Sequence, residues 1–199
     1  MVSAIATRNR HPAEIFIGGA GDEHSRLVLS FAEARRARLR AERQVHYLPH
    51  WKLMAVARLA EDLARDGHEV AVIGHSWGAD TAVQAVRRLA GAGVFLIGAD
   101  PVAKPLTRIT AGDARPRAAQ FVVHIDAAPS AYDRSDIVKA AGFLTGGGVP
   151  RIFSAADTRI ATRLNHWNFS GMMKAPGEDG RTAEDWLQDF PALIRQTAG

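Results

Sequence analysis

The amino-acid sequence predicts an α/β protein, a three-layer α/β/α sandwich built around a mostly parallel sheet. Short apolar runs rich in β-branched residues alternate with alanine-rich helical segments, and this order is typical of a parallel sheet with helices on both faces. The apolar runs show little polar alternation, as strands do when both of their faces are buried. The 199 residues suit one domain, 1–199, with a substantial core.

The first part of the chain is predicted to contain two strand–helix units. Residues 14–18 (EIFIG) form an apolar strand that ends in a glycine-rich loop, and residues 27–43 form an alanine- and arginine-rich helix. Residues 44–48 (QVHYL) form a second strand. The segment 52–66 is an amphipathic helix, and Gly67 stands where helices commonly end.

The second part of the chain continues the same alternation. Its strands are predicted at 69–73, 94–97, 120–125 and 151–154. Residues 79–90 predict an alanine-rich helix, and residues 182–196 predict a closing helix that is interrupted near Pro191. Residues 127–149 include three consecutive glycines, and we interpret them either as a small lid or as an ordinary surface crossover.

A Gly-x-Ser-x-Gly pattern at 74–78 is the most informative motif of the chain. It follows the predicted strand 69–73 and precedes the predicted helix 79–90. In that context the pattern predicts a nucleophile elbow, a tight turn that exposes the Ser76 hydroxyl while the flanking glycines avoid a collision. The alternative interpretation is a glycine-containing strand-to-helix turn of some other α/β protein.

A serine nucleophile needs a base, normally a histidine that a carboxylate orients. After the motif, His124 lies within an apolar predicted strand, whereas His166 lies in a polar and aromatic loop, where such a base is expected. Asp100 is the preferred carboxylate because it follows a strand end and its Asp-Pro step restrains it. Asp126 is the alternative acid by the same argument, and Asp157 is a weaker one.

Acyl transfer also needs backbone N–H donors for the oxyanion of the tetrahedral intermediate. Trp77 is one candidate donor, and Gly19 or Ala20, in the loop after the first strand, is the other. An alternative for this loop is a dinucleotide-binding turn, which is disfavoured because the third glycine is missing and no acidic residue ends the second strand. His50 follows the second strand and is interpreted as a residue that lines the substrate pocket or as a surface histidine.

These motifs resemble the α/β-hydrolase superfamily, and in particular its lipase-like serine esterases. The residues that carry the resemblance are Gly18-Gly19 and the segments 74–80, 98–102 and 165–169. The resemblance implies a compact α/β-hydrolase fold without a large cap domain, with Ser76 as nucleophile, His166 as base and Asp100 as acid. Most members of the superfamily place the acid one strand later, which keeps Asp126 open as the alternative acid.

Composition narrows the class of protein. Apolar residues make up 47% and charged residues 23%, as is ordinary for a soluble globular protein. The chain has no cysteine, which excludes disulfides and thiolate metal sites, and no metal or other cofactor is expected. Since no signal peptide or membrane-spanning run is apparent, a cytoplasmic location is expected, with signal-independent export left open.

The charge of the chain bears on its partners. The net charge is +4, and much of the excess lies in Arg35, Arg36, Arg38, Arg40 and Arg43. We interpret these arginines as a solvated helix face and expect no nucleic-acid partner, because aromatic interleaving and a nucleic-acid-binding module are absent. Weak contact with an anionic membrane surface is a further interpretation, and it applies only if the substrate is a lipid.

The sequence therefore predicts a serine hydrolase that cleaves carboxylic esters through an acyl-enzyme intermediate. The expected substrate is a small-molecule or lipid ester. The first alternative is a thioesterase or amidase on the same fold, and the second is a non-catalytic α/β binding module that keeps 74–78 as a turn. Substrate identity and oligomeric state do not follow from the sequence.

Overall fold

A six-stranded parallel sheet forms the centre of the protein. A computed structural model describes residues 10–91, 93–104, 115–129, 149 and 151–197. The strands are β1 (Ala13–Gly18), β2 (Gln44–Pro49), β3 (Val70–His75), β4 (Val94–Ala99), β5 (Ala119–Ala127) and β6 (Thr158–Thr162). Their order in the sheet is β2-β1-β3-β4-β5-β6, and each neighbouring pair is parallel.

Helices cover both faces of the sheet. The described helices are α1 (Asp22–Ser25), α2 (Leu27–Leu39), α3 (Leu53–Arg65), α4 (Trp77–Val86), α5 (Arg151–Ser154), α6 (Phe169–Lys174) and α7 (Ala183–Thr197). Helices α3, α4 and α5 bury side chains in one apolar cluster, and α2, α6 and α7 bury theirs in the other. This arrangement confirms the predicted three-layer α/β sandwich. None of the described helices is both long and apolar enough to cross a lipid bilayer.

Helix α3 follows directly from its local sequence. Its buried side chains are Val56, Ala57, Ala60 and Leu63, a spacing that places them on one face of a helix. Gly67 follows the helix with a φ of 85°, and its N–H donates to the Ala64 carbonyl at 2.9 Å. This left-handed conformation is the common way for a glycine to end a helix, and it confirms the predicted stop.

The prediction of a strand at 151–154 is wrong, because these residues form helix α5. Ile152 and Phe153 are buried against one apolar cluster, and so short an apolar run does not distinguish a strand from a buried helical turn. The sixth strand is instead β6, which pairs with β5 through contacts such as Ile125 with Ile160. Three of its five residues are not buried, so its apolar pattern is weak.

Two further predictions concern α7 and the segment 127–149. Helix α7 continues through Pro191, so the predicted interruption is wrong. Leu187, Phe190 and Ile194 lie on both sides of the proline in one apolar cluster, and this packing compensates for the missing backbone donor. The lid or crossover predicted at 127–149 lies largely outside the described residues.

Part of the arginine-rich segment is internal. Glu14, on β1, is fully buried and accepts hydrogen bonds from Arg35 Nε at 2.5 Å and Nη2 at 2.9 Å. Arg43 Nη1 lies 3.8 Å from the same carboxylate, and Arg43 Nη2 donates to the Gln188 carbonyl at 2.9 Å. The interpretation of a solvated face is therefore wrong for Arg35 and Arg43, which neutralise a buried carboxylate.

We expect the substitution Glu14→Gln to lower the free energy of unfolding by about 3 kcal/mol, because it removes the buried carboxylate that faces both Arg35 and Arg43. Urea denaturation measures the change. The matched control is Asp62→Asn, which removes an exposed ion pair with Arg65 and should change stability by less than about 1 kcal/mol. Equal effects of the two substitutions would contradict this prediction.

Candidate active site

The carboxyl ends of β1 and β3 mark the point where the sheet changes its winding direction. From β1 the chain moves outward to β2, returns to the other side of β1 as β3, and continues in that direction through β6. In open parallel sheets, ligands bind beyond the strand carboxyl ends at such a point. The loop after β1 and the turn after β3 are therefore the expected location of a site, and they hold Gly19 and Ser76.

Ser76 adopts a strained backbone conformation between β3 and α4, with φ 52° and ψ −124°. A side chain at positive φ costs about 1–3 kcal/mol and persists only where the surroundings enforce it. Here the Ser76 N–H donates to the Ala99 carbonyl at 3.1 Å, and the Ser76 carbonyl accepts from the Val102 N–H at 3.3 Å. The residue is 4% exposed. Such enforced strain marks Ser76 as a candidate functional residue.

The two glycines of the motif allow this turn to pack closely. A methyl group at Gly74 would lie 2.5 Å from the Ala79 Cα, and one at Gly78 would lie 2.8 Å from the Gly18 carbonyl oxygen and overlap the Ile17 carbonyl. Each neighbour is backbone, which cannot move aside without disturbing β1 or α4. The absence of a side chain at these positions thus lets β1, β3 and α4 meet at Ser76.

His166 and Asp100 form a buried pair beside this turn. The His166 Nδ1–H donates to Asp100 Oδ2 at 2.6 Å, and both residues are 2% exposed. Asp100 also has a positive φ, 42°, and its N–H donates to the Ile125 carbonyl at 2.7 Å. With the proton on Nδ1, the lone pair of the neutral ring lies on Nε2, which is the atom that can accept a proton.

The two alternative carboxylates are engaged elsewhere, and the other candidate histidine lies inside the sheet. Asp126 forms an ion pair with Arg159 on β6, and Asp157 pairs with Arg115. His124 is buried in β5, and burial lowers the pKa of its ring below the ordinary value. The structure thus brings Asp100, and neither of the alternative carboxylates, against the His166 ring.

His75 is a member of the site that sequence reasoning did not single out. Its ring lies 4.6 Å from the His166 ring, centroid to centroid, and its Nε2–H donates to the His166 carbonyl at 2.9 Å. Burial, together with the neighbouring His166, lowers the pKa of His75 to about 3, so the ring is neutral at ordinary pH. Its position next to Ser76 was the only signal available from the sequence.

The loop after β1 lies directly against Ser76. A methyl group at Gly19 would be 2.9 Å from the Ser76 Cβ, so backbone approaches the serine side chain closely there. Gly19 is buried and Ala20 is exposed. Trp77, the predicted partner donor, is the first residue of α4, so its N–H lies at the helix N-terminus. All three predicted donor residues therefore lie in the segments that flank Ser76.

Asp22 and Tyr47 hold this loop in place, and sequence reasoning missed both. Asp22 accepts hydrogen bonds from the N–H groups of Val28 at 2.9 Å and Leu29 at 3.2 Å, and from the Tyr47 hydroxyl at 2.7 Å. Burial, followed by the hydrogen bond to Asp22, raises the pKa of Tyr47 well above its ordinary value. The carboxylate thus links the loop to both α2 and β2.

His50 lies beside the residue that follows Ser76. Its ring packs edge-on against Trp51 at 5.1 Å and against Trp77 at 5.4 Å. Its carbonyl accepts hydrogen bonds from Thr81 Oγ1 at 2.6 Å and from Lys104 Nζ at 2.8 Å. Burial lowers the pKa of both His50 and Lys104. His50 is therefore near the turn, although its ring is half-buried among tryptophans.

Two cavities lined by described residues lie away from Ser76. A cavity of about 330 Å³ lies between α2 and α6, and one of about 440 Å³ lies at the other end of the sheet, near Pro12 and Glu69. Neither is lined by Ser76, Asp100 or His166. The candidate site at Ser76 rests on backbone strain and on the buried hydrogen bond between His166 and Asp100.

We expect Gly78→Ala to lower the free energy of unfolding by about 2 kcal/mol, because the methyl group collides with the backbone of β1. Gly91→Ala is the matched control, since a methyl group there meets nothing within 4 Å, and it should leave stability unchanged or raise it by up to about 1 kcal/mol. Urea denaturation of both variants tests this, and a Gly78 variant as stable as the control would refute the packing argument.

Comparisons with known proteins give one kind of match, a structural similarity. No protein-family model and no curated protein matches the chain. Among solved structures, the chain is similar to a crystal structure from Xanthomonas campestris pv. campestris, provisionally described as a hydrolase of the alpha/beta superfamily. The two chains are 15% identical, the match covers 93% of this chain and 95% of the other, and the TM-score is 0.44.

Proposed function

We propose that the protein is a serine hydrolase that cleaves carboxylic esters, with Ser76 as nucleophile, His166 as base and Asp100 as the orienting acid. The observation that carries the proposal is the strained Ser76 at a strand-to-helix turn, next to a buried histidine–aspartate pair. A serine at positive φ between two close-packed glycines is the geometry of a nucleophile elbow. The buried pair supplies the second requirement, a base whose tautomer is fixed by a carboxylate.

The first half of the reaction forms an ester with the protein. His166 Nε2 takes the hydroxyl proton as Ser76 Oγ attacks the carbonyl carbon, and the carbonyl π electrons move to oxygen to form an oxyanion. Asp100 stabilises the imidazolium that results. When the tetrahedral intermediate collapses, the bond to the alkoxide breaks, and the alcohol leaves with the proton from Nε2.

The second half restores the serine. A water molecule gives its proton to His166 Nε2 as its oxygen attacks the acyl carbon, and the bond to Ser76 Oγ breaks as the proton returns to Oγ. The products are a carboxylic acid and the free enzyme. No redox step is involved, and the proton is carried by the same atom in both halves.

The oxyanion is assigned two backbone donors. One is the Trp77 N–H, which is at the first residue of α4, where the unpaired N–H groups and the helix dipole favour negative charge. The other is an N–H of the loop at Gly19 or Ala20, which the Asp22 carboxylate and Tyr47 restrain. Donors that are held in place before the reaction cost no reorganisation when the charge develops.

The Ser76→Ala substitution should abolish hydrolysis of a p-nitrophenyl ester and labelling by a fluorophosphonate probe, with a fall in kcat of about 10⁴-fold or more, because the nucleophile is removed. Ser30→Ala, at an exposed position on α2, is the control and should behave as the wild type. Mass-spectrometric mapping of the labelled residue identifies the nucleophile. A folded wild-type protein that is not labelled at Ser76 would favour a non-catalytic α/β binding module.

The choice of acid is tested by Asp100→Asn and Asp126→Asn. An amide at position 100 would donate to His166 Nδ1 and force the proton onto Nε2, so kcat should fall by roughly 10³- to 10⁴-fold. Asp126→Asn removes the ion pair with Arg159 and should leave kcat within about threefold of the wild type. The reverse ranking, measured by steady-state kinetics, would transfer the role of acid to Asp126.

The bond type is decided by a matched series of an ester, a thioester and an amide with one acyl group. The proposal expects the highest kcat/KM for the ester. Preference for the thioester or the amide would keep the triad and change the substrate class.

A further inference from the structure

We infer that His75 is a positioning residue that ties the His166 loop to the end of β3. It thereby fixes the position of the proposed base, His166, relative to the proposed nucleophile, Ser76. The inference rests on the proposed function, since the role of His75 is to position the proposed base. His75 precedes Ser76 directly, and its hydrogen bond to the His166 carbonyl spans 91 positions of the chain. This one side chain therefore connects the strand that carries the nucleophile to the loop that carries the base.

The direction of this hydrogen bond follows from the chemistry of the two groups. A carbonyl oxygen only accepts, so the proton must reside on His75 Nε2. The ring is 3% exposed, and because burial keeps it neutral it retains a single N–H. A neutral His75 also adds no second positive charge beside His166 when that ring accepts a proton. Its remaining lone pair, on Nδ1, is a weak base because burial lowers the pKa of the ring.

The His75 ring restrains His166 in a second way, by packing. The two ring planes are tilted by 36° at a centroid distance of 4.6 Å, and Phe169 packs edge-on against His75 at 5.5 Å. Asp100 fixes the Nδ1 edge of His166, whereas His75 fixes one face of its ring and its backbone. These restraints act on different parts of the residue, so Asp100 alone does not determine where His166 Nε2 lies.

The same side chain also lies near the proposed donor loop. A methyl group at Gly19 would lie 3.3 Å from His75 Nδ1, the ring nitrogen that does not bond to His166. The electrostatic partners of His75 are His166 and Asp100, both members of the proposed triad. His75 thus contacts the base loop and lies near the donor loop, and it belongs to the strand that leads into Ser76.

The test compares variants that separate the hydrogen bond from the ring. His75→Phe keeps an aromatic ring and loses the hydrogen-bond donor. His75→Gln loses the ring and keeps a donor near the Nε2 position. His75→Asn also loses the ring, and its amide is too short to reach the His166 carbonyl. His46→Phe is the matched control, because His46 is a partly buried histidine in the middle of β2, two strands from β3. Each variant is assayed for labelling by a fluorophosphonate probe and for kcat and KM with p-nitrophenyl butyrate, per active site.

We expect His75→Phe and His75→Asn to lower kcat and the labelling rate by roughly 10- to 100-fold, since a small displacement of a base has that effect. KM should change by less than about twofold, because no substrate contact is removed. His75→Gln should recover the rate to within about fivefold of the wild type through its restored donor. The His46 variant should label as the wild type does.

The outcomes distinguish this inference from the proposed function. Wild-type protein that labels at Ser76, with His75→Phe labelling at the same rate, would overturn the positioning role and leave the hydrolase proposal standing. Should His75→Phe not fold, equal rates for the Gln and Asn variants would overturn it instead. A role in stability alone would lower the urea midpoint without lowering kcat per active site, and this also contradicts the inference. Folded wild-type protein that does not label overturns the proposed function and, with it, this role.

Discussion

The close backbone packing of β1, β3 and α4 around Ser76 governs the geometry of the candidate site. Gly78 lies against the carbonyl groups of β1, and Gly74 lies against the first turn of α4, so the chain reverses with no room for a side chain at either position. The residue between them is forced to a φ of 52°. The tight packing of backbone against backbone therefore fixes the backbone conformation of Ser76, and with it the direction of the Ser76 side chain.

Around this turn, the carboxyl ends of four strands supply different parts of the candidate site. The loop after β1 offers backbone donors, β3 leads into Ser76, the residue after β4 is Asp100, and the loop after β6 contains His166. Parallel strands make this convergence inevitable, because all their carboxyl ends lie at one edge of the sheet. The buried histidine–aspartate hydrogen bond is stronger there than it would be in water, since few solvent dipoles compete with it.

Contacts within single segments were predictable, whereas contacts that depend on partners distant in sequence were not. Strands β1 to β5 and the stop at Gly67 follow from apolar patterning and glycine conformation, whereas β6 does not. The predicted interruption of α7 at Pro191 is wrong, because packing on both sides of the proline compensates for one lost hydrogen bond. The interpretation of the arginines as a solvated helix face is wrong for Arg35, because its partner Glu14 lies 21 positions earlier on an interior strand. Neither the packing around Pro191 nor the pairing of Arg35 with Glu14 can be predicted from local composition.

The site shows the same division. Local spacing made Ser76 a candidate, and the expectation of an acid after a strand end gave two candidates, Asp100 and Asp126. Only the three-dimensional arrangement distinguishes the two aspartates. Asp100 pairs with His166, and Asp126 pairs with Arg159. The hydrogen bonds from His75 to His166 and from Tyr47 to Asp22 span 91 and 25 positions of the chain, so local patterning does not reveal these partners. Patterning sets which residues enter strands and turns, because burial and backbone conformation are local properties. The pairing of side chains is set by the folded sheet, because it depends on distances that the linear order of residues does not contain.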